Sequence, residues 1–317
     1  MTLMSTTAGE RDAGRVTVVG SLNMDLVIRA PRLPSAGETL AGRTFANVAG
    51  GKGGNQAVAA ARLGAHVAMI GCVGNDENGA QLVAGLRRDG IDCSAVATDA
   101  ALPTGVAMIV VDDAGQNAIV IVAGSNGALT TSAIAAHEKT IEQADVLVCQ
   151  LEVPGETVFA AMRAARRHGR IVVLNPAPAT GPLPRDWLEC ADYLIPNEGE
   201  ASVLSGVTVD SPESALAAAA ELREQGARNV IVTLGERGVL VLAEGEAGKH
   251  YPAPKVAAVD TTAAGDTFVG GLCAALAAKR SLDEAVRFGQ AAAALSVTRA
   301  GAQTSIPALH EVPRWAD

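Results

Sequence analysis

The feature that most constrains the fold is an alternation between short apolar runs and longer alanine-rich stretches. Short, almost wholly apolar runs are typical of strands buried on both faces of a parallel sheet. Strand–helix alternation at this spacing gives βαβ units, so the sequence predicts an α/β fold with a doubly wound, mostly parallel sheet. The strand-like runs are 16–20, 67–70, 146–149, 171–174, 193–195 and 230–234, and the helical stretches are 55–63, 79–89, 130–143, 156–168, 212–225, 266–279 and 282–299.

Two segments, 26–46 and 104–123, interrupt this alternation because neither has a strong helical face. Both read as extended chain, and the second contains apolar alternation on either side of a polar turn, which favours a hairpin. We expect these segments to form a small β-sheet inserted into the α/β scaffold as a lid. With no internal repeat and no linker, the prediction is one domain over residues 15–317, preceded by a flexible tail over residues 1–14.

Composition excludes several classes of function. The net charge is −9, with only two Trp, two Tyr and four Phe, so the chain lacks the basic stripe and the aromatic platforms of a nucleic-acid-binding protein. No apolar run reaches the ~18 residues of a membrane span. The five cysteines are odd in number and widely spaced, which is typical of reduced thiols in the cytoplasm rather than of disulfides or a zinc site.

The first candidate site is the glycine-rich segment 50–55, which reads Gly-Gly-Lys-Gly-Gly-Asn. Its glycines allow the backbone to approach a ligand closely, and the free N–H groups of a helix that begins at Asn55 would favour an anion. Lys52 and Asn55 are suited to binding hydroxyl groups. Because Gly follows Lys52, the segment does not match a P-loop. A flexible turn with an Asn cap is the alternative.

Further polar residues follow the predicted strands, at the edge where open α/β sheets bind ligands. Asn23 and Asp25 follow the first strand and suit a polyol, although an Asx-turn would use the same residue types. Glu152 follows a later strand, where it could equally be a solvated carboxylate. Asn197 and Glu200 have the spacing of a helix capping box. The functional alternative places Glu200 near a hydrated Mg²⁺ beside nucleotide phosphates.

The most informative segment is 260–268, in which small residues lead into an apolar helix. The amides of Ala263, Ala264 and Gly265 would form an anion hole at the positive end of that helix. Such a cradle stabilises the charge on a phosphoryl group during transfer. Asp266 beside it could accept a proton from an attacking hydroxyl. By itself, Asp266 could equally well be a helix cap.

Taken together and in this order, these segments resemble the PfkB family of carbohydrate kinases over about residues 16–307, and both family signatures are present at 50–55 and 260–268. The segments 48–60, 174–179 and 298–303 are similar to the branch of the family that phosphorylates ribose. The resemblance implies ATP-dependent phosphorylation of D-ribose at its 5-hydroxyl, which gives ribose 5-phosphate and ADP. The alternatives are a related kinase for deoxyribose, another sugar or a nucleoside, and a non-catalytic sugar sensor.

The resemblance also implies roles for individual residues. Asp266 would be the catalytic base, with Ala263, Ala264 and Gly265 as the anion hole. The sugar would be held by Asn23, Asp25, Gly51, Lys52, Gly53, Gly54, Asn55, Glu152 and Asp266. The nucleotide would face Asn197, Glu200, Thr233, Leu234, Gly235, Glu236, Arg237, Gly238, Gly265 and Gln290, with Glu200 near Mg²⁺ through water. A monovalent cation, usually K⁺, would be bound at Asp260, Thr262, Ser296, Arg299, Gly301 and Ser305, mostly by backbone carbonyls. The lid would close over ribose and build a homodimer.

Overall fold

The computed structural model of the protein describes residues 13–313, so the predicted tail lies outside the described residues except for residues 13 and 14. The strands are β1 (Arg15–Val19), β2 (Asn23–Arg29), β3 (Thr44–Gly50), β4 (His66–Gly74), β5 (Asp92–Asp99), β6 (Gly105–Val111), β7 (Asn117–Val122), β8 (Val146–Cys149), β9 (Ile171–Leu174), β10 (Tyr193–Leu194), β11 (Asn229–Thr233), β12 (Val239–Leu242) and β13 (Lys249–Tyr251). The helices are α1 (Lys52–Arg62), α2 (Glu77–Arg88), α3 (Thr131–Ala136), α4 (Glu138–Glu142), α5 (Gly155–Arg167), α6 (Arg185–Cys190), α7 (Glu198–Ser205), α8 (Pro212–Glu224), α9 (Ala264–Ala277) and α10 (Leu282–Ser296).

The main sheet has nine strands in the order β13-β12-β11-β10-β9-β8-β1-β4-β5. All pairs from β11 to β5 are parallel, and β12 and β13 complete the other edge in antiparallel pairs. Helices cover both faces, as the predicted doubly wound fold requires. That prediction is confirmed.

The apolar strands separate two hydrophobic cores. Along β8, Val146 and Val148 point into the core shared with α1, α2, α9 and α10, whereas Leu147 and Cys149 point into the core on the opposite face. This alternation explains why the strand sequences are apolar at almost every position, because both faces of the sheet are buried.

A second, four-stranded sheet has the order β3-β2-β6-β7 and is built from the two segments that interrupt the α/β pattern. β2 and β6 are parallel, and the two outer pairs are antiparallel. The small inserted β-sheet is therefore confirmed. Its first strand begins at Asn23, before the start of the predicted segment 26–46.

Some element boundaries differ from the sequence prediction. Helix α1 begins at Lys52 rather than Asn55, so two of the glycines lie in its first turn. The stretch 130–143 forms two short helices, α3 and α4, with a break at His137. Strand β5 was not predicted because its sequence, DCSAVATD, is polar and only partly buried at the sheet edge.

The described residues include no helix long and apolar enough to cross a membrane. All five cysteines are buried and free.

Candidate active site

Several of the predicted site residues meet at the carboxyl edge of the main sheet, where α1 and α9 also begin. A cavity of about 200 Å³ opens there between the strand ends and the first turn of α9. It is lined by Lys52, Asn175, Ala177, Ile195, Asn197, Glu200, Thr233, Thr261, Ala263, Ala264, Gly265, Asp266 and Val269. Segments distant in sequence thus meet at one concave surface.

The glycine-rich segment packs its backbone directly against the turn that follows β1. Gly51 has a φ of 83°, and a Cβ atom there would lie 2.7 Å from the backbone nitrogen of Asn23. A Cβ atom at Gly53 would lie 2.6 Å from the backbone nitrogen of Ser21. Glycine is therefore required for close approach to the chain itself. At these two positions the close neighbour is the protein backbone, whereas the sequence analysis expected a ligand.

Glu152 ties this segment to the strand ends. Its Oε2 accepts hydrogen bonds from the Ser21 hydroxyl at 2.5 Å and from the Lys52 backbone N–H at 3.0 Å. The second bond satisfies one of the free donors of the first turn of α1, where a carboxylate is favoured by the helix dipole. Glu152 thus holds the first turn of α1 beside the end of β1.

Asn23 and Asp25 lie on β2 rather than in a loop. The Asn23 amide is held by Asn126, whose Nδ2 donates to Asn23 Oδ1 at 2.7 Å. Asn126 also bonds both backbone groups of Leu22, at 2.9 and 3.1 Å. Because the Asn23 oxygen is engaged by Asn126, its amide nitrogen is the group left to act as donor.

Asp266 lies in the first turn of α9 and is buried. Its Oδ2 accepts a hydrogen bond from Asn55 Nδ2 at 2.9 Å, and its Oδ1 accepts one from Gln56 Nε2 at 3.0 Å. Burial raises the pKa of Asp266, while the charge of Lys52 and the two amide hydrogen bonds oppose that rise. Asn55 Oδ1 is buried beside this carboxylate without a hydrogen-bond partner among residues 13–313.

The site carries an excess of acidic groups. Burial raises the pKa of Asp25 to about 7, with further contributions from Glu152 and Asp266. Burial likewise raises the pKa of Glu200, against the Asn197 backbone bond and the charge of Lys52. For Lys52, burial alone would lower the pKa, but the surrounding carboxylates outweigh it and the pKa is raised. Lys52 therefore faces several carboxylates.

The backbone at the start of α9 could bind an anion as expected, but one of its N–H groups already has a hydrogen-bond partner. Ala263 precedes the helix in the left-handed region at a φ of 58°, a conformation that is unfavourable for residues with a side chain and is often found at functional sites. Gly265 has open space where a side chain would stand. The Ala264 N–H, however, already donates to the Thr261 carbonyl at 3.2 Å, so an incoming anion would compete with this bond.

On the predicted nucleotide side, Asn197 and Glu200 form the capping box: Glu200 N–H donates to Asn197 Oδ1 at 2.8 Å and Asn197 N–H donates to Glu200 Oε2 at 2.9 Å. Both residues also line the cavity, so the local role does not remove them from the site. Thr233 lines it too.

The other residues predicted for the nucleotide are placed less directly. Leu234 is buried in the core and Arg237 is paired with Glu198. Gln290 donates to the Tyr251 carbonyl at 3.0 Å and does not line the cavity. The remaining residues of the turn that joins β11 to β12 are Gly235, Glu236 and Gly238.

The predicted cation residues meet in part. Asp260 accepts hydrogen bonds from the backbone N–H groups of Thr262 and Gly301, both at 2.9 Å, so these two segments lie together. These bonds lower the pKa of Asp260 although burial opposes them. The Arg299 side chain turns away to pair with Glu311 at 2.7 Å. The hydroxyls of Ser296 and Ser305 donate to carbonyls of their own turns.

Sequence reasoning missed several residues of this site. Gln150 and Asn175 each directly follow a buried strand, β8 and β9, so the strand-end rule that selected Asn23 could have selected them. Ser21 offers the same signal after β1. Gln56 and Asn126 carry no such signal, because their positions are defined only by tertiary contacts.

No group of three or more His, Cys, Asp or Glu side chains with the arrangement of a metal site occurs between residues 13 and 313.

Comparison with known proteins shows what the whole chain is similar to. The model of the pfkB family carbohydrate kinases matches residues 13–309. A ribokinase of Haemophilus influenzae is 45% identical over 93% of this chain and 96% of its own. The structure of Arabidopsis thaliana ribokinase complexed with ribose and ATP superposes with a TM-score of 0.89 at 33% identity, covering 95% of this chain and 98% of the other. A deoxyribokinase of Salmonella typhi is 36% identical over 93% of this chain and 96% of its own.

Proposed function

The chain belongs to the pfkB family of carbohydrate kinases, and we propose that it transfers the γ-phosphoryl group of ATP to the 5-hydroxyl of D-ribose. The observation that carries this proposal is the buried Asp266 carboxylate at the start of α9. It lines a cavity beside the amide oxygen of Asn55, which has no hydrogen-bond partner within residues 13–313. The relatives named ribokinase supply the substrate class.

Ribose is neutral, so its recognition depends on hydrogen bonds to hydroxyl groups. Asn23 offers an amide donor, Asp25 offers a carboxylate acceptor and Asn55 offers its free Oδ1. These are complementary to a polyol, in which every hydroxyl donates and accepts. A buried site with such groups rejects sugars that leave them unpaired.

In the reaction, Asp266 accepts the proton of the 5-hydroxyl as that oxygen bonds to the γ-phosphorus. The bond between the γ-phosphorus and the β,γ-bridging oxygen breaks, and ADP leaves. Positioning and charge stabilisation account for most of the catalysis of such a transfer. Ala263 and Gly265 at the start of α9 line the cavity, so their amides would be available to the migrating group.

The acidic excess supports a role for Mg²⁺. ATP is itself an anion, and the cavity already contains Glu200 and Asp266 with one lysine, Lys52. A hydrated Mg²⁺ held near Glu200 would neutralise part of this charge and would stabilise the charge on the transferring phosphoryl group. Burial raises the pKa of the Glu200 carboxyl, and the positive charge of Lys52 does not offset this rise.

We also propose a monovalent cation, K⁺, near the start of α9. Asp260 draws the segments around Thr262 and Gly301 together, which supports the backbone carbonyls of residues 260–262 and 296–305 as ligands. The cation would add positive charge behind the anion hole. We expect a higher rate in K⁺ than in a bulky organic cation of the same ionic strength. Equal rates would argue against this site.

A second candidate substrate, deoxyribose, is favoured by the similarity to a deoxyribokinase. A panel of D-ribose, 2-deoxy-D-ribose, fructose and adenosine with ATP, read by ADP release, separates the candidates. We expect the highest kcat/KM with ribose. A higher value with deoxyribose would transfer the proposal to that sugar, and turnover of adenosine alone would overturn it.

The small sheet supports two further proposals, a lid over the sugar and a homodimer. β2 contributes Asn23 and Asp25 to the sugar side, so movement of this sheet would open or close the site. β7 exposes apolar side chains along the sheet edge, which supports contact with a second copy. The buried free thiols support a cytoplasmic location.

A further inference from the structure

We propose that Gln56 is a positioning residue for phosphoryl transfer, because its side-chain amide orients the Asp266 carboxylate by tying it to the ends of neighbouring strands. The inference rests on the proposed function of Asp266 as the base. It concerns a residue inside α1 that is fully buried.

All hydrogen-bonding groups of the Gln56 side chain are used. Nε2 donates to Asp266 Oδ1 at 3.0 Å and to Asn175 Oδ1 at 2.9 Å. Oε1 accepts from Gln150 Nε2 at 2.5 Å. An ionised carboxylate can only accept, so the group that faces Asp266 must be the Gln56 nitrogen. The donor from Gln150 fixes the same orientation from the other side.

The partners connect Asp266 to the sheet. Gln150 directly follows β8 and Asn175 directly follows β9. Asn175 Nδ2 in turn donates to the Ile195 carbonyl at 2.8 Å, just after β10. One amide therefore links the carboxylate on α9 to the ends of three adjacent parallel strands. Since Asn175 also lines the cavity, the link reaches the expected nucleotide side.

Helices α1 and α9 pack closely enough for Gln56 to reach Asp266. A Cβ atom at Gly270 of α9 would lie 2.8 Å from the backbone oxygen of Gln56. Glycine at this position therefore lets α9 lie directly against α1, which brings Asp266 within reach of Asn55 and Gln56.

The hydrogen bonds also select the charge state of Asp266. Each carboxylate oxygen faces an amide donor, one from Asn55 and one from Gln56, and donors favour the ionised form. Burial favours the protonated form, which cannot act as a base. Asn55 would also contact the sugar through Oδ1, whereas Gln56 has no proposed contact with the sugar and would remain the fixed donor. The charged groups that face Asp266 from other elements are Lys52, Asp25, Glu152 and Glu200.

The test compares Gln56→Met, which removes the amide at similar length, with Gln150→Met, which removes the donor that orients it. The control is Thr157→Val in α5, which removes a buried hydrogen bond of 2.7 Å to the Leu129 carbonyl on the other face of the sheet. For each variant, kcat, the KM for ribose and the acid limb of the kcat–pH profile are measured, together with thermal unfolding.

For Gln56→Met we expect kcat to fall by about 10-fold or more, the scale of a mispositioned reacting group. We expect a KM within about twofold of wild type and an acid limb displaced to higher pH, because a donor to the ionised carboxylate is lost. Gln150→Met should change the same quantities less, and Thr157→Val should lower only the melting temperature.

An unshifted acid limb in a folded Gln56→Met would overturn the inference, as would equal losses of kcat in Gln56→Met and Thr157→Val. If Gln56→Met does not fold, Gln150→Met decides: an acid limb displaced to higher pH supports the inference and an unmoved one contradicts it. Asp266→Asn is measured in parallel. Normal turnover in that variant would contradict the proposed base itself, whereas its inactivity beside unaffected Gln56 variants would contradict only the positioning role.

Discussion

At the scale of single residues, Asp25 has a strongly raised pKa among the residues proposed to bind the sugar. Its carboxyl group is partly buried near Glu152 and Asp266, which raises its pKa from 3.8 to about 7. An ionised carboxylate with a pKa raised by burial lowers the stability of the folded protein. It is consistent with a site that trades stability for an acceptor placed against a hydroxyl-rich ligand.

We predict that the KM for ribose rises as the pH falls below about 7, because protonation removes the carboxylate that accepts hydrogen bonds from the sugar. Steady-state kinetics with saturating ATP measure this dependence. In Asp25→Asn the KM should be high at every pH, without this dependence. A wild-type KM that is constant between pH 7 and pH 6 would contradict the assignment.

Asp25 also makes the stability of the folded protein depend on pH. Its pKa is higher in the folded protein, so its contribution favours folding at low pH, and stability is lost as the pH rises from about 3.8 to about 7. Asp25→Asn removes this penalty, and we expect it to stabilise the protein by roughly 1–2 kcal/mol above pH 7. Denaturant unfolding at several pH values measures the difference. An equal effect near pH 4 and above pH 7 would contradict it.

At the scale of elements, the sequence predicted most helices to within a few residues, because their apolar spacing and caps are local. The start of α1 was misplaced because glycines read as a loop, whereas here they permit the helix to pack on Ser21. β5 and the division of 130–143 at His137 were missed because an edge strand and a short break carry little periodic signal. The rule that ligands bind at the carboxyl ends of strands selected Asn23 and Asp25 from the sequence. The hydrogen bonds made by Gln56 and Asn126 depend on contacts between residues distant in sequence, so the sequence did not predict them.

The turn after β7 joins the small sheet to the site through Asn126. Asn126→Ala removes two hydrogen bonds to Leu22 and one to Asn23. We expect a loss of about 2–3 kcal/mol in the free energy of unfolding and a KM for ribose raised about 10-fold, since the Asn23 amide is no longer oriented.

The matched control is Ser125→Ala, which removes one buried bond of 3.2 Å, from the Ser125 hydroxyl to the Cys72 carbonyl, in the same turn. It should lower stability with little change in KM. An equal rise of KM in both variants would contradict the proposed role of Asn126.

At the scale of the whole molecule, the main sheet is the part that sequence patterning describes best, since burial on both faces leaves apolar runs. The small sheet is different. All six residues of β7 are exposed, among them Ile119, Val120, Ile121 and Val122. An apolar edge strand of this kind favours pairing with another chain, which supports the proposed contact with a second copy.

We predict that the wild-type protein is a dimer in light scattering after size exclusion, and that Val120→Glu combined with Ile121→Glu gives a monomer. The control is Val203→Glu on α7, which is also exposed but lies outside the small sheet. It should leave the dimer intact. A wild-type monomer, or a dimer that survives the double substitution, would contradict this interface.

The central claim is that the Asp266 carboxylate collects the proton of the sugar hydroxyl at the start of α9. The most direct measurement is the kcat of Asp266→Asn with ribose and saturating ATP, with ribose affinity and thermal unfolding as controls. We predict a fall of at least ~10²-fold, the scale for loss of a general base, in a variant that still folds and binds ribose. Turnover close to that of the wild type would contradict the account.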